Sequence, residues 1–382
     1  MTEKFLIKPI YNADLTKELE IIGYDKSYRH KMVDKLKYKT LKIYNLSLPQ
    51  ANILKQLALS LGADCGTHRN VIVGQIETSD VILGGSFSQL EKLAEKLSHQ
   101  PFSLAQLAKD IQTQLTEKQT KTKIMGILNI TDNSFSDGGE HNTVELACEH
   151  LEKLVKDGAD IIDIGAESTK PHAPSVIAEE QLEKILPVLD YISSHNINIP
   201  ISIDTRSAVV AEECLKKGAK IINDVSGLKY DKDMASVIAK YNATLILQHS
   251  LGNEINMSEK HHYEHVVDDV FKNLYEQIEY AKFNGITDII VDVGIGFDKS
   301  RNENLEILRR IEEFYALGYP VMTGISRKST LGLHNASNDE KDIFTLALNT
   351  LAVKQKVDYL RVHNVKLHKQ MLAIMEDYLK AQ

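Results

Sequence analysis

Polar side chains of catalytic or binding type recur at the ends of eight short apolar runs in this sequence. In chain order they are Asn129, Glu167–Ser168, Asp204, Asn223–Asp224, Gln248–His249, Asp292, Arg327–Lys328 and Arg361–His363. A single Asp or Asn in such a place is often a helix N-cap, and Asp224 is open to that reading. The whole set exceeds what capping needs. Asp204, Asn223 and Asp292 offer two carboxylates and an amide suited to the donor-rich edge of a planar nitrogen heterocycle, because a carboxylate pairs with an N–H/NH2 edge as it does with guanidinium. Lys328, Arg361 and His363 offer cationic or hydrogen-bonding groups suited to a phosphate or pyrophosphate. Asn129, followed by the polar loop TDNSFSDGG, offers oxygen ligands for Mg2+, which keeps waters and bridges substrate phosphates. Together these groups point to displacement of pyrophosphate by a nucleophile. No Ser–His–Asp or Cys–His arrangement is needed for that, and none stands out.

The runs carrying these groups are KIMGILNI, ADIIDIGAES, PISIDT, KIINDVSG, ATLILQHS, DIIVDVGIG, PVMTGIS and YLRVHN, beginning at residues 123, 159, 200, 220, 243, 288, 320 and 359. Each is Val/Ile/Leu-rich on both parities, as strands buried on two faces of a parallel sheet are. Helical patterns lie between them, such as TVELACEHLEKLVKDG with Leu146, His150, Leu151 and Leu154 on one face. Gly158, Gly218, Gly285 and Gly318 each close such a pattern just before a strand, where a left-handed residue ends a helix. Eight such β–α pairs in about 260 residues predict an α/β fold, a TIM (β/α)8 barrel over residues 123–382. Active sites of such barrels form at the C-terminal strand ends. Asp163, in the middle of a strand, reads as a barrel-interior residue with a local hydrogen bond, outside the site.

Residues 1–115 read differently. A strand-like KTLKIYNL, a helical PQANILKQLALSLG, strand-like segments around Val71–Ile76 and Ser79–Leu83, and a helical SFSQLEKLAEKL suggest a small α+β domain of ferredoxin-like order. The sequence gives it no role. Gly84–Gly85–Ser86 reads as a strand-to-helix turn with a Ser N-cap. The polar TEKQTKT (116–122) reads as a linker.

Composition limits the class. The chain has 382 residues, 45 Lys+Arg against 53 Asp+Glu, and 43% hydrophobic residues, which excludes general disorder. Its net charge of −8 argues against broad nucleic-acid binding. Cys65, Cys148 and Cys214 have no zinc-ligand or disulfide-framework spacing, no long apolar stretch predicts a membrane span, and the N-terminus lacks a secretory pattern. A cytoplasmic protein is expected.

At these same residues the sequence resembles dihydropteroate synthase. The resemblance covers the barrel from Lys123 onward. It is carried by MGILNIT…SFSDGG (Met125–Gly139), GADIIDIG followed by Glu167–Ser168–Thr169, SIDT (Ser202–Thr205), IINDVSG (Ile221–Gly227), Asp292 with GIGF and Lys299, SRKS (Ser326–Ser329) and LRVH (Leu360–His363). The resemblance implies joining of 6-hydroxymethyl-7,8-dihydropterin pyrophosphate to 4-aminobenzoate in folate biosynthesis, by an SN1-like route. It implies that Asp204, Asn223, Asp292 and Lys328 bind the pterin. Arg361 would cover the ring and, with His363 and Asn129, hold the pyrophosphate, Asn129 also reaching Mg2+. Phe135, Thr169, Lys170 and Pro171 would form the aminobenzoate pocket, with Ser329 near its carboxylate. A homodimer and a sulfonamide target are implied as well.

Several positions depart from the family pattern: Asp132–Asn133 for Pro-Asp, Lys170–Pro171–His172 for Arg-Pro-Gly, Gly165–Ala166 for Gly-Gly, Ser250 for a methionine, Val293 for a proline and Asn364 for an aspartate. None removes a main pterin or pyrophosphate ligand. A methyltetrahydrofolate:corrinoid methyltransferase would use the Asp and Asn ligands but has no use for SRKS or RVH. A pterin-binding barrel without catalysis is the reading from another class.

Overall fold

The computed structural model describes residues 5–11, 13–118, 121–130, 140–167, 176–251, 263–328 and 336–381. The chain divides into two compact units, Met1–Lys118 and Gln119–Ala381, and the division falls inside the 116–122 stretch.

In the first unit, α1 (Leu15–Ile21) and α2 (Arg29–Leu36) precede β1 (Tyr38–Ser47), α3 (Leu48–Ser60), β2 (Asp64–Thr67), β3 (Thr78–Ser86), α4 (Phe87–Ser98) and α5 (Leu104–Leu115). The strands form an antiparallel sheet ordered β1-β3-β2. Alternating apolar residues, among them Val81 and Leu83, bury one face under Leu54, Leu90, Leu93 and Leu97. Ser86 caps α4 through a capping box with Gln89, and Gly84 and Gly85 pair within the sheet rather than forming an open loop. The expected strand at Val71–Ile76 is a turn. Val71 is buried but Ile72 and Val73 point to solvent and Gly74 sits at φ +70, so the run buries one residue and then reverses. The sheet's remaining strand is β2, whose Asp-Cys-Gly-Thr gives little apolar signal.

The second unit is a closed barrel of eight parallel strands: β4 (Lys123–Asn129), β5 (Ile161–Gly165), β6 (Ile201–Asp204), β7 (Ile221–Asp224), β8 (Thr244–Gln248), β9 (Ile289–Asp292), β10 (Val321–Thr323) and β11 (Tyr359–Val362). Each is followed by a helix: α6 (Glu140–Lys156), α7 (Ala178–Ser194), α8 (Ala208–Lys216), α9 (Met234–Tyr241), α10 (Val266–Phe283), α11 (Arg301–Arg309), α12 (Asn338–Lys354) and α13 (Val365–Lys380). The helical pattern after residue 301 tightens into a 3-10 turn at Ile311–Leu317. Gly158, Gly218, Gly285 and Gly318 all adopt positive φ. Among the described residues no helix is long and apolar enough to cross a membrane.

Strand alternation sorts the barrel into two faces. Residues such as Ile162, Ile164, Ile203, Ile222, Leu245, Leu247 and Val291 pack outward against the helices. The opposite parity points inward, where Met125, Ile161, Ile221, Ile246, Ile290 and Met322 form a separate apolar floor. Two residues further along the same faces stand Asp163, Asn223, Gln248, Asp292 and, beyond Tyr359, Arg361. The barrel thus has a greasy floor and, one step higher, a polar ring.

Candidate active site

That ring is held together by hydrogen bonds between distant strands. Arg361 Nε donates to Asp163 Oδ2 at 2.6 Å, and its Nη2 donates to Asp204 Oδ2 at 2.6 Å. Asn223 Nδ2 donates to the same Asp163 oxygen at 3.0 Å. Asp163, Asn223 and Asp292 are buried and Asp204 nearly so. Two acceptors in the ring, Asp163 Oδ1 and Asn223 Oδ1, are buried and have no partner among the described residues. Buried acceptors of this kind are costly unless a donor reaches them.

Asp292 closes the ring. Its Oδ1 accepts from the Gly294 N–H at 2.8 Å. A Cβ on Gly324 would lie 3.6 Å from Asp292 Oδ2 and 3.9 Å from Arg361 Cδ. Gly165 lies between two more site groups: a Cβ there would approach Asp204 Cβ at 3.3 Å and Asn129 Oδ1 at 3.7 Å. Lys328 is part-buried; its Nζ donates to the Ile295 carbonyl and sits 4.2 Å from the centre of the Phe297 ring. His363 Nδ1 meets Ser326 Oγ at 2.9 Å, and the His363 N–H donates to the same hydroxyl at 3.2 Å.

Burial sets the electrostatics. It raises the Asp204 carboxyl well above the carboxylate range despite Arg361, with Asp163 and Glu167 pushing the same way. Burial also raises Asp292, against the pull of Lys328. It pushes the Lys328 amine down to about 8, partly offset by Asp292. His363 is pushed down to about 3 by burial, with Arg327 and Arg361 adding to it, so its ring is neutral at ordinary pH.

The structure therefore brings Asp204, Asn223, Asp292, Lys328, Arg361, His363 and Asn129 to the C-terminal end of one barrel. Phe135, Thr169, Lys170, Pro171 and Ser329 lie outside the described residues, as do Asp132, Asn133 and His172. Two groups sort differently from their sequence reading. Asp224 ends β7 and shapes the loop that follows, its carboxylate accepting from the Ser226 N–H and hydroxyl and the Leu228 N–H. Asp163 is no local hydrogen bonder: it is the acceptor on which Arg361 and Asn223 converge. Its signal was present, since an acid two residues beyond an inward Ile in a fully buried strand must find a donor inside the barrel. Arg361 is also less open than a bare phosphate cation, with two carboxylates on one edge; among the described residues its hydrogen bonds use only Nε and Nη2.

Around the mouth, Glu167 receives both Arg206 Nε (3.2 Å) and Nη2 (2.8 Å), and that guanidinium stacks 4.2 Å over Tyr230. Lys299, fully enclosed, donates to Asp298, to the Gly294 and Phe297 carbonyls and toward His249 Nδ1, fixing the loop that carries Ile295 and Phe297.

A donor-seeking ring of acceptors over an apolar floor suits a flat heterocycle rich in N–H groups, and the cations at its rim suit an attached anion. Comparison with known proteins agrees. Residues 125–363 match the pterin binding enzyme family. The dihydropteroate synthase of Clostridium beijerinckii is 41% identical over 263 residues, spanning 68% of this chain and 94% of that protein. A probable bifunctional folylpolyglutamate synthase/dihydropteroate synthase of Halobacterium salinarum is 38% identical over 330 residues, 83% of this chain. This chain spans only 40% of that longer relative. The 330-residue match is longer than Gln119–Ala381, so it reaches into the first unit. A crystal structure of dihydropteroate synthase from Clostridium difficile in the presence of pteroic acid superposes with a TM-score of 0.64 at 37% identity, covering 70% of this chain and all of that one.

Proposed function

The chain belongs to the pterin-binding enzyme family, and from that premise we propose that it is a dihydropteroate synthase. It is a transferase that joins 6-hydroxymethyl-7,8-dihydropterin pyrophosphate to 4-aminobenzoate and releases 7,8-dihydropteroate and pyrophosphate. The observation that carries this reading is the inward ring of Asp163, Asp204, Asn223 and Asp292 above the apolar floor, with Lys328, Arg361 and His363 beside it.

In this reading Asp204, Asn223 and Asp292 accept the N–H groups of the pterin edge, and the floor excludes water beneath the ring. Arg361, already braced by Asp163 and Asp204, lies along the ring and turns its remaining N–H groups to the pyrophosphate. Lys328 adds positive charge, and neutral His363 adds a hydrogen bond. The C–O bond to pyrophosphate breaks with its electron pair leaving on oxygen. The aminobenzoate nitrogen then forms the C–N bond with its lone pair and sheds a proton. Charge is stabilised by groups fixed before reaction, which is where such sites gain most of their rate.

Asn129 fits a Mg2+ role by its donor chemistry: a neutral amide oxygen at a strand end, 3.7 Å from the Cβ that Gly165 lacks, a point itself 3.3 Å from Asp204 Cβ. A hard cation that keeps waters and binds substrate phosphate oxygens needs few protein ligands. Bound there, it would offset the charge of the leaving pyrophosphate. Phe135, Thr169, Lys170, Pro171 and Ser329 are proposed to border the aminobenzoate, where sulfonamides would compete.

A homodimer is proposed through α12 and α13. Exposed Ile343, Ala347 and Leu351 at four-residue spacing, with Ile374 and Tyr378 on the neighbouring helix, form an apolar stripe of the kind that marks an interface. Sedimentation of L351E/I374E against the parent chain checks it. A cytoplasmic location fits three buried, unpaired cysteines.

The test is pyrophosphate release with and without 4-aminobenzoate. Amine-dependent release with formation of dihydropteroate supports the reading. Bound pterin pyrophosphate without turnover would leave a binding barrel, and release without amine incorporation a hydrolase.

A further inference from the structure

Two of the proposed substrate-binding groups, Lys328 and His363, come from different strand ends, yet one carboxylate on α12 reaches the loops of both. Asp342 Oδ1 accepts from Arg327 Nε at 2.7 Å and its Oδ2 from Arg327 Nη2 at 2.8 Å. The same Oδ2 accepts from Asn364 Nδ2 at 3.1 Å. Arg327 stands between Ser326 and Lys328, and Asn364 directly follows His363. Asp342 is 3% exposed. Burial acts to raise its carboxyl, but the hydrogen bonds from Arg327 and Asn364 outweigh it and hold it below its usual value.

The loop after β10 needs such a clamp. Lys328 N–H donates back to the Ile325 carbonyl at 3.2 Å, closing a turn whose third residue, Arg327, sits at φ +59. That position favours Gly, and an Arg there persists only when its surroundings hold it. α12 supplies the hold twice, one helical turn apart: Asp342 takes the guanidinium, and Thr345 Oγ1 accepts the Arg327 N–H at 3.2 Å. The turn lets consecutive side chains do separate work, Ser326 reaching His363 and Lys328 reaching Ile295 and Phe297. On the other loop, Asn364 divides its amide. Its Oδ1 caps α13 by accepting from Leu367 N–H at 3.1 Å, while its Nδ2 serves Asp342. α12 is itself fixed at its start by the Ser337–Glu340 capping box.

We propose that Asp342 is a positioning residue that, through Arg327 and Asn364, sets the Ser326–His363 pair at the place that receives the pyrophosphate of the substrate. This rests on the assignment of His363 to that group. Asp342 touches no substrate. It acts by choosing where two loops stop, and a displacement of about 1 Å at such groups can cost on the order of a hundredfold in rate.

The experiment compares D342N, N364D and D342N/N364D with the parent chain. It measures kcat and both KM values, binding of inorganic pyrophosphate and of pteroate by calorimetry, and thermal midpoints. D342N leaves Arg327 without a charged partner, while N364D keeps the α13 cap and sets a second carboxylate oxygen against Asp342. Each single variant is expected to raise the KM for pterin pyrophosphate and weaken pyrophosphate binding by about tenfold or more, with pteroate affinity and the aminobenzoate KM changed less than twofold. The double variant, with amide and carboxylate exchanged, is expected to recover most of the loss. Losses that follow the thermal midpoint without rescue, or equal losses for pyrophosphate and pteroate, would overturn the proposal. If the parent chain shows no synthase turnover, the function assigned above fails, and the pyrophosphate titrations still decide the role of Asp342. A parent chain that takes up no pyrophosphate overturns both.

Discussion

Asp163 and Arg361 meet at 2.6 Å inside the barrel although 198 positions separate them in the chain. Asp163 is wholly buried, and Arg361 is the cation that neutralises it. Breaking such a pair from one side leaves an uncompensated charge, which costs more than the pair contributes.

Replacing Asp163 with Asn should therefore destabilise the fold by about 2 kcal/mol, less than a fully enclosed pair because Asp204 still holds the guanidinium. Chemical denaturation measures that change. Affinity for the pyrophosphate substrate should fall as well, because Arg361 loses its Nε anchor. Unchanged stability and unchanged affinity together would mean that the Asp204 contact alone fixes Arg361.

Substitution at the rim should separate the two halves of the substrate. Arg361→Ala and His363→Ala are expected to weaken binding of pterin pyrophosphate at least tenfold more than binding of pteroate, since each charge-assisted contact to phosphate contributes about 1.5–3 kcal/mol. Parallel calorimetric titrations of both ligands test this. Equal losses would place these residues away from the leaving group. Asp204→Ala should instead abolish pterin binding altogether, because it removes a buried acceptor.

The pH dependence should follow Lys328 and not His363. The Lys328 amine, pushed down to about 8, carries its charge below that pH and loses it above. Affinity for the pyrophosphate substrate should then fall about fivefold between pH 8 and pH 9, the loss expected of a single titrating amine. K328R should flatten that limb. His363, held near 3, is neutral throughout, so no inflection should appear near the ordinary histidine value. On the acid side the raised Asp204 carboxyl takes up a proton earlier than an ordinary aspartate. Pterin binding should accordingly weaken at a higher pH than an exposed Asp would give.

Gly294 carries a steric prediction. Its φ is +67, and a Cβ there would fall 2.0 Å from the His249 carbonyl oxygen. Gly294→Ala should cost about 3 kcal/mol or more, in the range of severe backbone lesions. It should also disturb Lys328 through the loop carrying Ile295 and Phe297. Thermal unfolding and pyrophosphate titration together check both effects, and a neutral substitution would contradict the packing at this turn.

Much of this protein was determined by the sequence alone. Strands buried on two faces must be apolar on both parities and helices must stop before the next strand, so eight runs and four glycines specify a barrel without tertiary information. Polar groups at strand ends likewise announce the site, because a barrel needs none there for closure. In the first unit the same reasoning failed at Val71–Ile76, where three apolar residues in a row conceal a turn. Tertiary structure decided which of the like-charged groups do what. Asp163, Asp224 and Asp342 are all buried acids, yet one anchors Arg361, one shapes a loop and one ties two loops together. For two of them the donors come from distant strands and loops, Arg361 and Asn223 for Asp163 and Arg327 and Asn364 for Asp342, whereas Asp224 takes its donors from its own turn. A hydrogen bond is fixed by distances of a few ångströms between atoms, and only closure of the barrel brings residues 60 and 198 positions apart to one carboxylate.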